Sequence, residues 1–171
     1  MDDDVFEIIQ DMNLKFCINK GGYFQSTSHI IKLPCMTKKK RLLLHQLVFI
    51  IKTKTEPTST VDHIDRNKSN NCFFNLRLAT VKQQNNNRGK MKSNTSSYIG
   101  VCHQHYVDKR RKKNNVYEYW RTQIRKPNNK IETKLFPYTE NGKIAAAHYY
   151  DTKAREYFGK FAVLNFPDEI V

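Results

Sequence analysis

Apolar residues near the start of the chain fall in short bursts that suit extended backbone: Phe6 to Ile9, Lys15 to Asn19, and Tyr23 to Thr27 after a Gly21-Gly22 turn. A longer apolar stretch runs from Leu42 to Ile51 and encloses His45. Its Leu-rich beginning suits a helix and its end (Val48, Ile50, Ile51) suits a strand, so periodicity alone leaves both open. Asn- and Asp-rich sequence from Asp62 to Asn75 predicts turns, and Thr80 is placed to cap a short polar helix through Asn87.

Residues 88–97 are rich in Gly, Ser, Asn and Lys and show no apolar period. They divide the chain into a first domain, residues 1–90, a linker over 91–97, and a second domain, residues 98–171. In the second domain Tyr98 to His103, Tyr117 to Arg125 and Ile131 to Pro137 read as strands between polar turns. From Thr139 onward Ala147, Tyr150, Ala154 and Tyr157/Phe158 recur at spacings of three and four, one face of a helix that Gly159 is placed to end in the left-handed conformation. Three strands and a helix make a small α+β unit with one covered sheet face.

At 171 residues, 39% of them apolar and 12% aromatic, the chain can form two small cores and does not read as disordered. No stretch approaches the roughly 18 apolar residues of a membrane helix, and the acidic Met1-Asp2-Asp3-Asp4 start does not read as a secretory signal. Cys17, Cys35, Cys72 and Cys102 form no close pair. They read as isolated thiols of an intracellular protein, and no zinc site is expected.

Charge narrows the partner. The formal net charge is +14, which points to a polyanion, nucleic acid first, with no membrane or small-molecule substrate suggested. Lys outnumbers Arg by 21 to 9 and there are 16 Asn, so A/T-rich codons account for part of the excess. Residues 1–90 and 91–171 each hold 15 basic and 8 acidic residues, so each half is +7 and either half can meet the same polyanion.

Asp62-His63 is followed by Asn75-Leu76-Arg77, with the Asn twelve residues after the His, and then by Gln83-Gln84-Asn85-Asn86-Asn87. Phosphodiester hydrolysis needs an activated water, charge neutralisation and help for the leaving oxygen, and a hard divalent cation on oxygen ligands supplies the last two. A carboxylate, a helix amide and a histidine whose ordinary pKa is near ~6.5 suit that chemistry.

This constellation, with Leu44-His45-Gln46-Leu47-Val48 upstream, closely resembles the HNH endonuclease motif in the variety where asparagines replace the later histidines (motif span 44–88). The resemblance implies a ββα-metal fold and a catalytic pair, His63 as general base and Asn75 bracing the loop that carries it. It also implies one magnesium or manganese ion per site, held by Asp62 and Asn85, with Gln84 as the alternative ligand. His45 reads as structural support. Asn67, Asn70 and Asn71 read as turn formers. Arg66 stands where the family commonly has Gly, so a positive φ there would be strained.

Ser97-Tyr98-Ile99-Gly100-Val101, Tyr119-Trp120-Arg121-Thr122-Gln123-Ile124, Ala146-Ala147-His148-Tyr149-Tyr150-Asp151 and the closing Phe158 to Pro167 resemble the Apetala/ethylene-response-factor family of DNA-binding domains. That family lays a three-stranded sheet in the major groove and braces it with a helix. Residues 109–134 hold ten basic and two acidic residues, around the strands rather than the helix. Arg121, Gln123 and Arg125 share one strand face by alternation, and Trp120 takes the other unless a bulge intervenes. With His103 and His105 these six are the candidate DNA contacts, and Lys109 to Lys113 reads as a basic hairpin loop.

The two resemblances together imply a homing-type DNA endonuclease that acts on double-stranded DNA in the nucleus or cytoplasm, encoded by a virus or mobile element. The alternative is a sequence-specific DNA-binding regulator with an inactive nuclease half. The sequence leaves the oligomeric state open, a monomer included.

Overall fold

The computed structural model describes residues 1–27, 31–38, 41–87 (Asn86 by its backbone alone), 89, 94–108 and 115–169. The chain forms two units, Met1–Asn85 and Asn86–Val171. The division falls earlier than residue 90, and Asn94 to Tyr98 form a hydrogen-bonded loop of the second unit rather than a linker. Residues 90–93 and the Lys109 to Lys113 run lie outside the described residues.

The first unit begins with helix α1, Asp3–Asp11, where extended chain was expected at Phe6 to Ile9. Val5 and Ile9, four residues apart, are buried on one helical face, and Ile8 and Met12 flank them on the same core. A four-residue window is too short to register that period. The Asp2 carboxylate fastens the helix start to the site loop by accepting from the Phe73 backbone N–H at 2.8 Å.

Strands β1, Phe16–Ile18, and β2, Phe24–Ser26, pair antiparallel across the Gly21-Gly22 turn. Leu42 to Ile51 resolves as a helix, α2, Leu44–Thr53, and seven of its ten residues are buried. Burial all round is what erased the amphipathic signature there. Around α2 pack Val5, Ile9, Ile31, Met36, Leu42, Val61 and Leu76, the core of this unit.

The Asn-rich segment is bracketed by two short strands, β3, Thr60–His63, and β4, Leu76–Ala79. They pair antiparallel with Asp62 opposite Arg77 and His63 opposite Leu76. Helix α3, Val81–Asn86, follows. Thr80 and Gln83 cap it reciprocally: Gln83 N–H donates to Thr80 Oγ1 at 3.2 Å, and Thr80 N–H donates to Gln83 Oε1 at 2.8 Å. Asn87 lies beyond the helix end.

The second unit is one antiparallel sheet in the order β5-β6-β7, with β5 Val101–Asp108, β6 Asn115–Arg125 and β7 Ile131–Pro137, covered on one face by α4, Glu140–Phe158. The first strand starts three residues later than its apolar run because Gly100 turns the chain at φ +72°. Val101, Trp120, Ala146 and Ala147 form the core, with Tyr98, Phe136 and Phe166 packed against it. Buried Asp151 on α4 accepts from the Asn165 and Phe166 backbone N–H groups at 2.8–2.9 Å, which ties the chain's end to the helix. Gly159 follows α4 at φ +52° and ψ −128°, a positive φ outside the left-handed helical well. The α+β class, small antiparallel sheets with helices, is as expected.

Candidate active site

Asp62 and His63 end β3, and the next twelve residues return to β4 as a self-bonded loop. Asn75 closes it: its Nδ2 donates to Asp65 Oδ1 and to the Asn70 carbonyl at 2.8 Å each, and its Oδ1 accepts from the Asp65 N–H at 3.0 Å. The Ile64 N–H donates to the Asn75 carbonyl at 2.8 Å. Burial works to raise the Asp65 carboxyl, but hydrogen bonds from Asn70, Asn75 and the Asn67 backbone lower it on balance. Arg66 sits at φ +64° inside this loop, a left-handed conformation that costs a non-glycine residue about 1 kcal/mol or more.

Within the loop, buried Asn71 faces His63, with Oδ1 3.2 Å from Nε2. The other end of the Asn71 amide donates to the Lys68 and Ser69 carbonyls at 3.3 and 3.2 Å. Those two acceptors fix which end of the amide is which, so Oδ1 accepts from His63. His63 therefore carries its neutral-state proton on Nε2, and its basic electron pair is on Nδ1.

The imidazole is walled by aromatic rings. His45, from α2, meets His63 edge-on at 4.9 Å between centroids. Tyr23, from the β1–β2 turn, lies 5.3 Å from His45 and 6.2 Å from His63. Lys68 holds that turn, with Nζ 4.3 Å above the Tyr23 ring and 2.6 Å from the Gly21 carbonyl. Burial, and secondarily the neighbouring His63, push the His45 imidazole down to about 4, so it stays neutral around neutral pH.

Asp62 is buried and accepts from Arg77 Nε and Nη2 through Oδ2, at 3.3 Å each. The pair follows from register, since the two residues are directly opposed. On α3 Gln84 is half-buried and Asn85 exposed. Among the described residues no three His, Cys, Asp or Glu side chains gather to hold a metal. An ion at Asp62 would rest on that carboxylate, carboxamide oxygens, water and phosphate, a donor set that fits a hard divalent cation.

The six candidate DNA contacts divide between the two faces of the second sheet. Trp120, His103 and His105 share the face covered by α4. Trp120 is 9% exposed and donates from Nε1 to the Thr139 carbonyl at 3.1 Å. His103 stacks on Tyr138 at 4.3 Å with Nε2 3.1 Å from Glu118. Arg121, Gln123 and Arg125 lie on the open face. Arg121 Nε donates to Cys102 Sγ at 3.4 Å, and Arg125 Nη1 to the Asn129 carbonyl at 3.1 Å.

Tyr23, Asn71 and Arg77 are site neighbours that the sequence reading did not single out. The Asp62–Arg77 pair becomes visible once β3 and β4 are aligned, whereas Tyr23 and Asn71 carry no local signal.

Among the described residues no helix is long and apolar enough to cross a membrane. No solved structure matches the chain. An uncharacterized HNH endonuclease of Acanthamoeba polyphaga mimivirus is 33% identical to it over 153 residues, 88% of this chain and 66% of that protein's length. Residues 42–86, which contain α2, the Asp62-His63 strand, the Asn75 loop and α3, match the HNH endonuclease family, and through them the chain carries an HNH endonuclease domain.

Proposed function

We propose that the protein is a metal-dependent DNA endonuclease of homing type, in which the first unit hydrolyses a phosphodiester and the second holds the duplex. The observation that carries the catalytic half is buried His63, oriented by Asn71 and next in sequence to the buried Asp62. Nδ1 of His63 takes a proton from the attacking water, and the Nε2–H···Asn71 bond supports the imidazolium that forms. Asp62 and one α3 amide, Asn85 or Gln84, hold one magnesium or manganese ion. Such an ion neutralises the phosphate and assists the departing oxygen. Asn75 keeps the loop closed, and His45 and Tyr23 exclude water from one side of the imidazole.

For the second unit, an Apetala/ethylene-response-factor-like domain is supported by the order of its elements and by the cationic open face. Arg121 and Arg125 of the central strand lie there, while Glu118 and Glu132 of the same sheet face the helix. The partner is double-stranded DNA, approached by charge and held by phosphate contacts. A virus- or mobile-element-encoded role agrees with the viral relative.

A plasmid-nicking assay with magnesium, comparing wild type with His63→Ala, tests the reading. Loss of nicking in the variant alone supports it, and equal nicking by both, or by neither, removes it. The second reading, a DNA-binding protein with an inactive nuclease unit, is favoured by the Arg77 guanidinium on Asp62 and the strained Arg66. It predicts no nicking with duplex binding intact.

A further inference from the structure

The open face of the second sheet carries more than cations. Opposite Arg121, Gln123 and Arg125 on β6 stand Leu135, Thr133 and Ile131 on β7, residue for residue. Leu135 and Ile131, on either side of Thr133 along one strand face, are 51% and 49% exposed, two large aliphatic side chains left open to solvent on the same face. The Gln123 amide has no hydrogen-bond partner among the described residues and is exposed. Beside it a cavity of about 500 Å³ opens, whose wall includes Ile99, Val101 and Ile131 as apolar members and Asn94, Gln123 and Arg125 as polar ones. The one carboxylate among the described strand positions of this face is Asp108, buried at the hairpin end of β5.

A row of planar hydrogen-bonding groups beside two aliphatic side chains that flank a threonine, one strand spacing away, has a natural counterpart. In the major groove adenine offers N6 and N7, which a carboxamide bonds bidentately, and its partner thymine presents a methyl group alongside. Adjacent strands are about 4.8 Å apart, so two neighbouring rows can address the two sides of A·T pairs together.

We propose that this face reads thymine by its methyl group, with Ile131 and Leu135 packing on thymine methyls while Gln123 bonds adenine, so that its target is rich in A·T pairs. The proposal rests on the reading of this sheet as a duplex-binding surface. Solvent-exposed aliphatic side chains with no carboxylate beside them lose nothing against a methyl-lined groove, whereas G·C pairs leave Ile131 and Leu135 facing polar edges.

The test uses the full-length protein without divalent metal, to prevent cleavage. Duplexes are enriched from a random pool, and the best binder is remade with uracil for thymine, which removes only the methyl groups. Affinities are measured at one fixed salt concentration. Wild type should bind the uracil duplex about fourfold more weakly per contacted methyl, the worth of one buried methyl-sized group. Ile131→Ser and Leu135→Ser, checked for folding by thermal melting, should bind both duplexes alike and keep the wild-type salt slope. Equal wild-type affinity for the two duplexes, or a thymine preference that survives both substitutions, would overturn the proposal while leaving duplex binding in place. Failure to enrich any duplex, together with no effect of Arg121→Ala and Arg125→Ala on binding, would remove the duplex-binding reading as well.

Discussion

Asn71 accepts a hydrogen bond from His63 at 3.2 Å while the rest of its amide is tied to two backbone carbonyls. An acceptor fixed in this way holds the ring in one orientation and leaves Nδ1 as the nitrogen that takes the proton, as a general base requires. His63→Ala should lower the rate of nicking by about 10²- to 10⁴-fold, the usual worth of a positioned base. Asn71→Ala should lower kcat by about tenfold to a hundredfold, the value of a hydrogen bond to a group that becomes charged. KM and duplex affinity should not move, and Asn71→Asp should recover part of the rate. A uniform loss of folded protein in the Ala variant would show Asn71 to be structural only.

Arg66 occupies a left-handed backbone position at φ +64° in the loop that carries His63. Glycine has no Cβ to clash there, although it gives back some entropy to the unfolded chain. Arg66→Gly should raise the stability of the first unit by about 0.5–1 kcal/mol, read from the urea midpoint at an unchanged slope. Arg66→Val should lower it by a comparable amount. A lower midpoint for the glycine variant would mean that the Arg66 side chain outweighs its backbone cost.

The motif residues that the sequence made legible are those whose roles depend on neighbours in the chain. Asp62, His63 and Asn75 are placed by one strand, one loop and the next strand, so their spacing announces them. Helix α1 escaped because the Phe6 to Ile9 burst is only a fragment of the Val5/Ile9 face. Strands β3 and β4, implied by the resemblance to a ββα-metal fold, left no mark in the apolar pattern because they are four residues long and hold polar residues that ion pairing and burial satisfy. Asn71 looks like any other turn asparagine until the fold brings it to His63 from eight residues away. Tyr23 arrives on a different hairpin, from forty positions upstream. Strict alternation along β6 did foretell that Trp120 and Arg121 take opposite faces.

His45 gives the first unit a defined response to acid. Its imidazole is held at about 4 in the fold, chiefly by burial, against about 6.5 in an unfolded chain. Between those values the unfolded chain binds a proton that the folded one refuses. Stability is therefore full above about pH 6.5 and falls as the pH drops toward 4, by at most about 1.4 kcal/mol per unit. Urea denaturation followed by far-ultraviolet circular dichroism should show the first unit's midpoint falling between pH 7 and pH 5. His45→Gln, which cannot titrate, should flatten that fall. An identical pH dependence in both proteins would assign the sensitivity to another group.

Gly100 tests the second unit by itself. It turns the chain into β5 at φ +72°, and a Cβ there would lie 2.1 Å from Tyr150 Cδ2 on α4. The Tyr150 ring is half-buried, and Cδ2, Cε2 and Cγ all crowd the position, so relief needs the whole ring to move. Gly100→Ala therefore combines backbone strain with overpacking and should cost about 3 kcal/mol or more. Gly159→Ala is its control, since its φ of +52° is also positive but nothing lies within 4 Å of the added carbon. That variant should lose about 1–3 kcal/mol, from backbone strain alone, because φ +52° with ψ −128° is a combination that side-chain-bearing residues rarely adopt. The single tryptophan, Trp120, is buried in this unit, so its fluorescence reports the transition without interference from the first. The Gly100→Ala melt should fall well below the Gly159→Ala melt, with duplex affinity falling alongside. Equal melting of the two variants would show that the Tyr150 ring moves aside and that Gly100 is there for its backbone angle alone.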